Sequence, residues 1–388
     1  MSEVLELNVD KITNKCFSFK FSGEKYQSLV KEIFAEKVKP CFNYTVCYNV
    51  TENDNVTLRV IAVMKNILGE IIAKQYIENG SSFATAEGTV LLAIEVFVSS
   101  KERGTLTISD ISVHEEGMLK TRKAVLAAVA LDYDSNSRSL ELNLAENLEA
   151  IDAAAEEKPD IILLTEDFYD RNVFEDSLDY QAIDLNDPAV HQLRERAKKY
   201  HTYIAFCALI RLNNGNVSNM AVIIDRDGKI CGEYKKTHLT IHEHDMGLEP
   251  GDEIVAFDLD FGRVAFAICW DLFFPEYTRM LQLNNVEIIL NPSAGFKACR
   301  VSERACETGT YILSAGSHDP SESRITAPDG SFSVIGDKSK KYVCGTVELG
   351  KDYYIPWLST SSSATMKNVF KFERRPDLYS LKRGDEPV

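Results

Sequence analysis

No Cys-x-x-Cys pair occurs in this chain, and its nine cysteines are odd in number and scattered. That pattern excludes a disulfide framework that closes every thiol and offers no structural zinc motif, so reduced thiols in a cytoplasmic compartment are expected. No run approaches the roughly 18 apolar residues of a membrane-spanning helix. The opening MSEVLELNVDKITNKCF also lacks a basic segment followed by a long apolar core. Positive charge is scarce: 43 Lys and Arg against 59 Asp and Glu leave a formal net charge of -16. Such a balance repels nucleic acid and anionic membrane surfaces, leaving small molecules as the expected partners. There is no internal repeat, and the only low-complexity patch is residues 359–363. Asn43, Asn49, Asn55, Asn79 and Asn216 each begin an N-x-Ser/Thr sequon, which matters only on a secreted route that this opening does not suggest.

The 388 residues exceed what one hydrophobic core commonly organises, so two domains are expected. Residues 1–118 read as short strands at 16–21, 45–50, 56–63, 89–98 and 106–113, separated by turn clusters such as Glu52-Asn53-Asp54. One helix is predicted at 26–38, where Leu29, Ile33 and Phe34 share a helical face. This spacing suggests an all-β sandwich. A polar stretch at 114–122 marks the boundary, and residues 119–388 alternate strands with helices as an α/β domain with a C-terminal tail. Asp187 as N-cap with Pro188 at the first helical position opens one helix. The Asn213-Asn214-Gly215 turn joins a hairpin of strands at 203–210 and 218–224.

The run VAFAICWDLFFPE at residues 264–276 carries the most chemistry. An apolar strand delivers one thiol, Cys269, to a strand end where a polar turn begins, the usual seat of reactive groups. Upstream, Glu166 closes the apolar segment IILLTE and Lys236 sits in EYKKTHL. A thiol, a carboxylate and an amine are a nucleophile, a proton carrier and a cationic oxyanion donor, the set that amide or nitrile hydrolysis through a thioester requires. That chemistry needs neither metal nor cofactor. A free thiol is only a few per cent ionised at neutral pH, so a nearby cation and base are expected to make the sulfur a better nucleophile.

Glu166, Lys236 and Cys269, in that order and within PDIILLTEDF, YKKTHL and ICWDLFFPE, resemble the Glu-Lys-Cys triad of the nitrilase, or carbon-nitrogen hydrolase, superfamily. GLEPGD at 247–252, NPSAG at 291–295, Arg304 to Glu307 ahead of Tyr311, and RRPDLY in the tail extend the resemblance over about residues 119–379. It implies a four-layer αββα sandwich with the triad on loops at one end. Carried over, Cys269 is the nucleophile, Glu166 the general base and acid, and Lys236 the cation near the developing oxyanion. Glu243 looks like the second glutamate beside the triad, and the backbone N–H of Trp270 is the expected second oxyanion donor. Tail residues 370–379 resemble the family segment that packs against a second subunit, which implies a homodimer. Family members acting on nitriles commonly follow the nucleophile with Trp-Glu-Asn, whereas Trp270 here precedes Asp271 and Leu272. An amide or N-carbamoyl substrate is therefore favoured over a nitrile.

Other readings compete. Taken alone, Cys269 would read as a small buried hydrophobe, Glu166 as a helix cap and Lys236 as an exposed loop charge. His238, His242 and His244 with Glu243 and Asp245 could converge on zinc, although His238 reads better as a local brace for Lys236. The amino-terminal sandwich resembles carbohydrate-binding jelly rolls in strand pattern. However, both tryptophans, Trp270 and Trp357, lie outside it, leaving Tyr26, Tyr44, Tyr48 and Tyr76 as candidate contacts. A non-catalytic binding protein that kept the fold is the reading from a different class.

Overall fold

The computed structural model describes residues 16–23, 25–132, 138–173, 178–337, 339–356 and 363–378. Trp357, Tyr379 and most of the 359–363 patch lie outside the described residues. The chain divides into two compact units, one of residues 1–120 with 352–388 and the other of residues 121–351.

The first unit contains β1 (Phe17–Ser22), β2 (Gln27–Lys37), β3 (Phe42–Asp54), β4 (Thr57–Lys65), β5 (Ile71–Ile77), β6 (Ser82–Ala84), β7 (Leu91–Ser100) and β8 (Arg103–Met118). They form one sheet ordered β1-β8-β3-β6 and a second that includes β2-β7-β4-β5. Phe19, Tyr44, Val46, Ile94, Leu106 and Ile108 belong to a single buried cluster. Residues 26–38 are not the helix that the spacing predicts. β2 pairs with β7, and a register shift between Glu32 and Phe34 inserts one extra residue. That bulge makes Leu29, Ile33 and Phe34 imitate a helical repeat on what is a strand. Tyr44 is a core residue whose hydroxyl accepts from Lys39 N at 2.9 Å, whereas Tyr26 is exposed.

The second unit builds β9 (Arg122–Val129), α1 (Leu140–Ala154), β10 (Ile161–Leu163), α2 (Leu178–Gln181), α3 (Pro188–Tyr200), β11 (Tyr203–Arg211), β12 (Val217–Ile224), β13 (Ile230–Lys235) and α4 (Ile241–Asp245). It continues with β14 (Phe257–Asp258), β15 (Arg263–Phe266), α5 (Pro275–Leu283), β16 (Ile288–Ser293), α6 (Ala298–Thr308), β17 (Tyr311–Gly316), β18 (Arg324–Thr326), β19 (Phe332–Ile335) and β20 (Tyr342–Leu349). One six-stranded sheet runs β13-β12-β11-β10-β9-β20 and the other β14-β15-β16-β17-β18-β19. Leu148 and Ile151 of α1 and Val190 and Leu193 of α3 pack with Ile162, Ile204 and Phe206 of the first sheet. α6 packs on β17 and β18 of the second sheet, and β17 in turn meets β9. The order is helix, sheet, sheet, helix. As the sequence anticipates, Asp187 caps α3 by accepting from Ala189 N at 2.8 Å, with proline opening the first turn.

The tail adds β21 (Tyr354–Pro356), β22 (Ser363–Thr365) and α7 (Met366–Phe372). β22 pairs with β5, and Asn368 exchanges hydrogen bonds of 2.8 and 2.9 Å with the backbone of Tyr76. The described residues 352–356 and 363–378 thus group with the amino-terminal unit, not with the α/β domain to which the sequence reading joined them. The cause is backbone pairing between residues nearly 300 positions apart, which no local pattern announces.

Candidate active site

β9, β10 and β11 run parallel in one sheet, as do β15, β16 and β17 in the other. Their carboxyl ends therefore point the same way within each sheet, and the loops that leave them are where open α/β sheets gather functional groups. Glu166 follows β10, Lys236 follows β13, Cys269 follows β15, and Ala294 and Gly295 follow β16.

These loops converge. The Lys236 ammonium donates to Glu166 Oε1 at 2.7 Å and to both Glu243 oxygens at 2.9 Å. It is 1% exposed. Alternation along β13 explains why it is Lys236 that meets them: the neighbouring Lys235 points the other way and pairs with Glu249 at 2.9 Å. Glu166 Oε2 accepts from Ala294 N at 2.8 Å. Glu243 is held by a capping box on α4: its Oε2 accepts from Thr240 N at 2.7 Å, while Thr240 caps the Glu243 N–H. The Cys269 thiol reaches Gly295 O at 3.9 Å, and the charges of Glu166 and Lys236 both act on it.

Strand β15 ends at Phe266, and Cys269 opens a tight 3-10 turn through Phe273. Its φ is 41°, left-handed backbone that a non-glycine residue adopts at a cost and that clusters at functional sites. Asp271 holds this turn. Its buried carboxylate accepts from Ile268 N at 2.9 Å, Tyr234 Oη at 2.8 Å, His238 N at 3.0 Å and His238 Nδ1 at 2.8 Å. The thiol turn is thereby tied to the strand end that presents Lys236. His238 also stacks on Phe274 with centroids 3.9 Å apart. It braces the lysine segment through Asp271, while His242 and His244 sit exposed on α4. Among the described residues no group of three or more His, Cys, Asp or Glu side chains is arranged to hold a metal ion.

Electrostatics of the cluster follow from two carboxylates sharing one ammonium. Burial favours a neutral Lys236, yet Glu166 and Glu243 outweigh it and hold the ammonium above the ordinary lysine range. Burial likewise works against a charged Glu243, but Lys236, the Thr240 N–H and Asn219 keep its carboxyl below the usual range. The thiol departs from expectation. Burial first, and then the charge of Glu166, push Cys269 up to about 12, against the pull of Lys236 and Ser293. The pull of Lys236 is too weak to offset burial and the Glu166 charge. The resting sulfur is a thiol.

Sequence reasoning missed Asp271 as a brace, Asn219, whose Nδ2 donates to Glu166 Oε1 and Glu243 Oε1 at 2.9 and 2.7 Å, and the Ala294 N–H. NPSAG and the Asp after Trp270 were visible signals for two of them. Trp270 is 37% exposed, its ring 4.5 Å from that of Phe273. A separate cavity of about 490 Å³, bounded by Met220, Glu233, Lys235, Glu249 and Asp252, includes neither Cys269 nor Glu166.

The family described as carbon-nitrogen hydrolase matches residues 125–351, more than half of the chain. The chain belongs to that family. Curated relatives of this carbon-nitrogen hydrolase include the "Hydrolase in pqqF 5'region" of Pseudomonas protegens, 28% identical over 255 residues that cover 61% of this chain and 86% of the relative. Deaminated glutathione amidase of Dictyostelium discoideum is 25% identical over 215 residues, covering 49% of this chain and 74% of that protein. N-carbamoylputrescine amidase of Arabidopsis thaliana is 31% identical over 113 residues, 28% of this chain and 38% of that protein. Among solved structures, a carbon-nitrogen hydrolase from Helicobacter pylori G27 superposes with a TM-score of 0.51 at 17% identity, covering 66% of this chain and 97% of its own. An amidase of the nitrilase superfamily from Nesterenkonia AN1 gives 0.51 at 18% identity, covering 59% of this chain and 92% of its own. Both likenesses speak to the fold: the nitrilase-type α/β sandwich, here preceded by an all-β region.

Proposed function

We propose that this carbon-nitrogen hydrolase cleaves the non-peptide C–N bond of a small amide or N-carbamoyl compound through a thioester on Cys269. The observation that carries the reading is the knot of Glu166, Lys236 and Glu243 hydrogen-bonded around one ammonium and set against the thiol.

A thiol that rests protonated needs a base at the moment of attack, and Glu166, whose charge acts on the thiol, is the residue that takes its proton in this reading. Sulfur then bonds to the carbonyl carbon and places negative charge on oxygen. If one Lys236 N–H is shared across the two Glu243 oxygens and a second goes to Glu166, the third is free for that oxyanion. The Trp270 N–H, in the first turn of the 3-10 segment, is a group that the turn itself leaves unused. Glu166 returns its proton to the departing nitrogen, the C–N bond breaks, and ammonia or an amine leaves the thioester. Water attacks next, giving its proton to Glu166, which passes it to the leaving sulfur as the acid product departs.

An amide or carbamoyl group is favoured over a nitrile by the Asp271-Leu272 pair after Trp270 and by the amidase names of the relatives. The reading is tested by screening amides, carbamoyl amino acids and nitriles for ammonia release, with Cys269→Ala as the comparison. The expected result is release from an amide or carbamoyl compound that the variant loses, with an acyl adduct on Cys269 in the intact-protein mass. Release that survives in Cys269→Ala would discard the mechanism, and no turnover or adduct across the panel would favour a binding protein. The homodimer is a separate expectation that light scattering decides.

A further inference from the structure

Asn219 on β12 is buried, and nothing in the catalytic cycle above requires it. Its carboxamide nevertheless touches both carboxylates of the cluster, with Nδ2 2.9 Å from Glu166 Oε1 and 2.7 Å from Glu243 Oε1. Its main-chain oxygen accepts from Lys236 N at 2.9 Å. One residue therefore contacts both carboxylates and the main chain of the lysine that carries the ammonium. On its far side, Oδ1 accepts from the Cys207 thiol of β11 at 3.0 Å.

We propose that Asn219 is a positioning residue for the hydrolytic centre, and that the Cys207 thiol sets its amide so that the NH2 group, not the carbonyl, faces Glu166 and Glu243. A flipped amide would turn a carbonyl oxygen toward two carboxylate oxygens and leave the thiol hydrogen without an acceptor. The thiol remains a donor because burial keeps it protonated. Lys236 supplies one positive charge against two carboxylates, and a neutral donor that serves both holds them together without altering the charge count. Glu166 Oε1 is thereby occupied from two sides, by Lys236 and Asn219, so that its other oxygen turns toward the Ala294 N–H. Asn219 also helps keep Glu243 ionised.

This inference rests on the proposed reading of Cys269 and Glu166, and two kinds of measurement separate their failures. The first is the pH profile of kcat/KM on any amide that the wild type turns over. The groups facing Glu243 and Asn219 are Glu166, Lys236, Cys207 and Cys269, with Asp170 nearby. Asp170 is pushed up to about 7 by burial and by Asp167, so profiles are compared in an Asp170→Asn background. Cys207→Val removes the thiol donor and adds one methyl group. It is expected to move the acid limb to higher pH, by up to about one unit, the scale of one lost charge-assisted hydrogen bond. Cys207→Ser, which restores an O–H donor, is expected to return the limb toward wild type. Asn219→Asp places a third carboxylate against the other two and is expected to lower kcat by about a hundredfold or more, the scale of a misplaced reacting group.

The second measurement needs no substrate: alkylation of Cys269 by iodoacetamide, located by mass spectrometry, is expected to slow in Asn219→Asp because added negative charge disfavours the thiolate. A merely structural role predicts lower thermal midpoints with an unmoved acid limb in Cys207→Val. That result, or a Cys207→Ser profile no nearer to wild type than that of Cys207→Val, overturns the proposal. If Cys269→Ala still hydrolyses amides, the proposed function has failed, and unchanged Cys269 alkylation in a folded Asn219→Asp variant then overturns the positioning role as well.

Discussion

Replacing Lys236 by methionine keeps an unbranched side chain, one heavy atom shorter, and removes its charge. In the native protein that charge is buried and bonded to Glu166 at 2.7 Å and to Glu243 at 2.9 Å. Breaking a buried ion pair by deleting one partner costs about 3–5 kcal/mol, because the remaining charge is left uncompensated. Here two carboxylates are left, so the upper part of that range is expected at neutral pH. The sign of the pH dependence follows from Glu243. With Lys236 present its folded value is lowered, so its contribution to stability is present above the unfolded value of about 4.3 and is lost as pH falls through the lower folded value. Without Lys236, burial and carboxylate repulsion are expected to outweigh the remaining Thr240 and Asn219 hydrogen bonds, so that the folded value of one carboxylate rises above the unfolded one. The variant's deficit then grows as pH climbs from about 4.3 through that raised value. Urea titrations in a Trp357→Phe background, which leaves Trp270 as the only indole of the two in the chain, should show a deficit at pH 7.5 that shrinks by half or more at pH 5. Equal deficits at both pH values would refute the charge argument, and a neutral-pH deficit below about 1 kcal/mol, the scale of an exposed pair, would refute the buried one. Adding Glu243→Gln to Lys236→Met should recover part of the loss.

Since Glu166 raises the Cys269 thiol after burial does, Glu166→Gln should speed alkylation of Cys269 by iodoacetamide while abolishing turnover, and slower alkylation would contradict the assigned electrostatics. Asp271→Ala removes a fully buried acceptor that takes hydrogen bonds from Ile268 N, Tyr234, Thr237 and His238. It should cost about 3–5 kcal/mol, or about 10 °C in thermal midpoint for a unit of this size. Calorimetry showing a shift under about 2 °C, the scale of well under 1 kcal/mol, would mean that Asp271 does not tie the two loops together.

Much of this protein was legible in the chain of letters. Apolar runs that stop at Glu166 and just before Cys269, together with Pro188 behind its Asp187 cap, announced strands, loops and a helix, because each signal is made by adjacent residues. Motif order likewise marked Lys236, and the break near residue 118 separated an all-β region from an α/β one. Tertiary structure decided what depends on distant partners. A bulge against β7 turned a helix-like spacing into β2, and pairing with β5 drew the tail to the amino-terminal unit. Asn219 and Asp271 acquire meaning only where loops from both sheets meet. The ionisation of Cys269 was set there too, since burial and the opposed charges of Glu166 and Lys236 are sums over groups that sequence neighbours do not reveal.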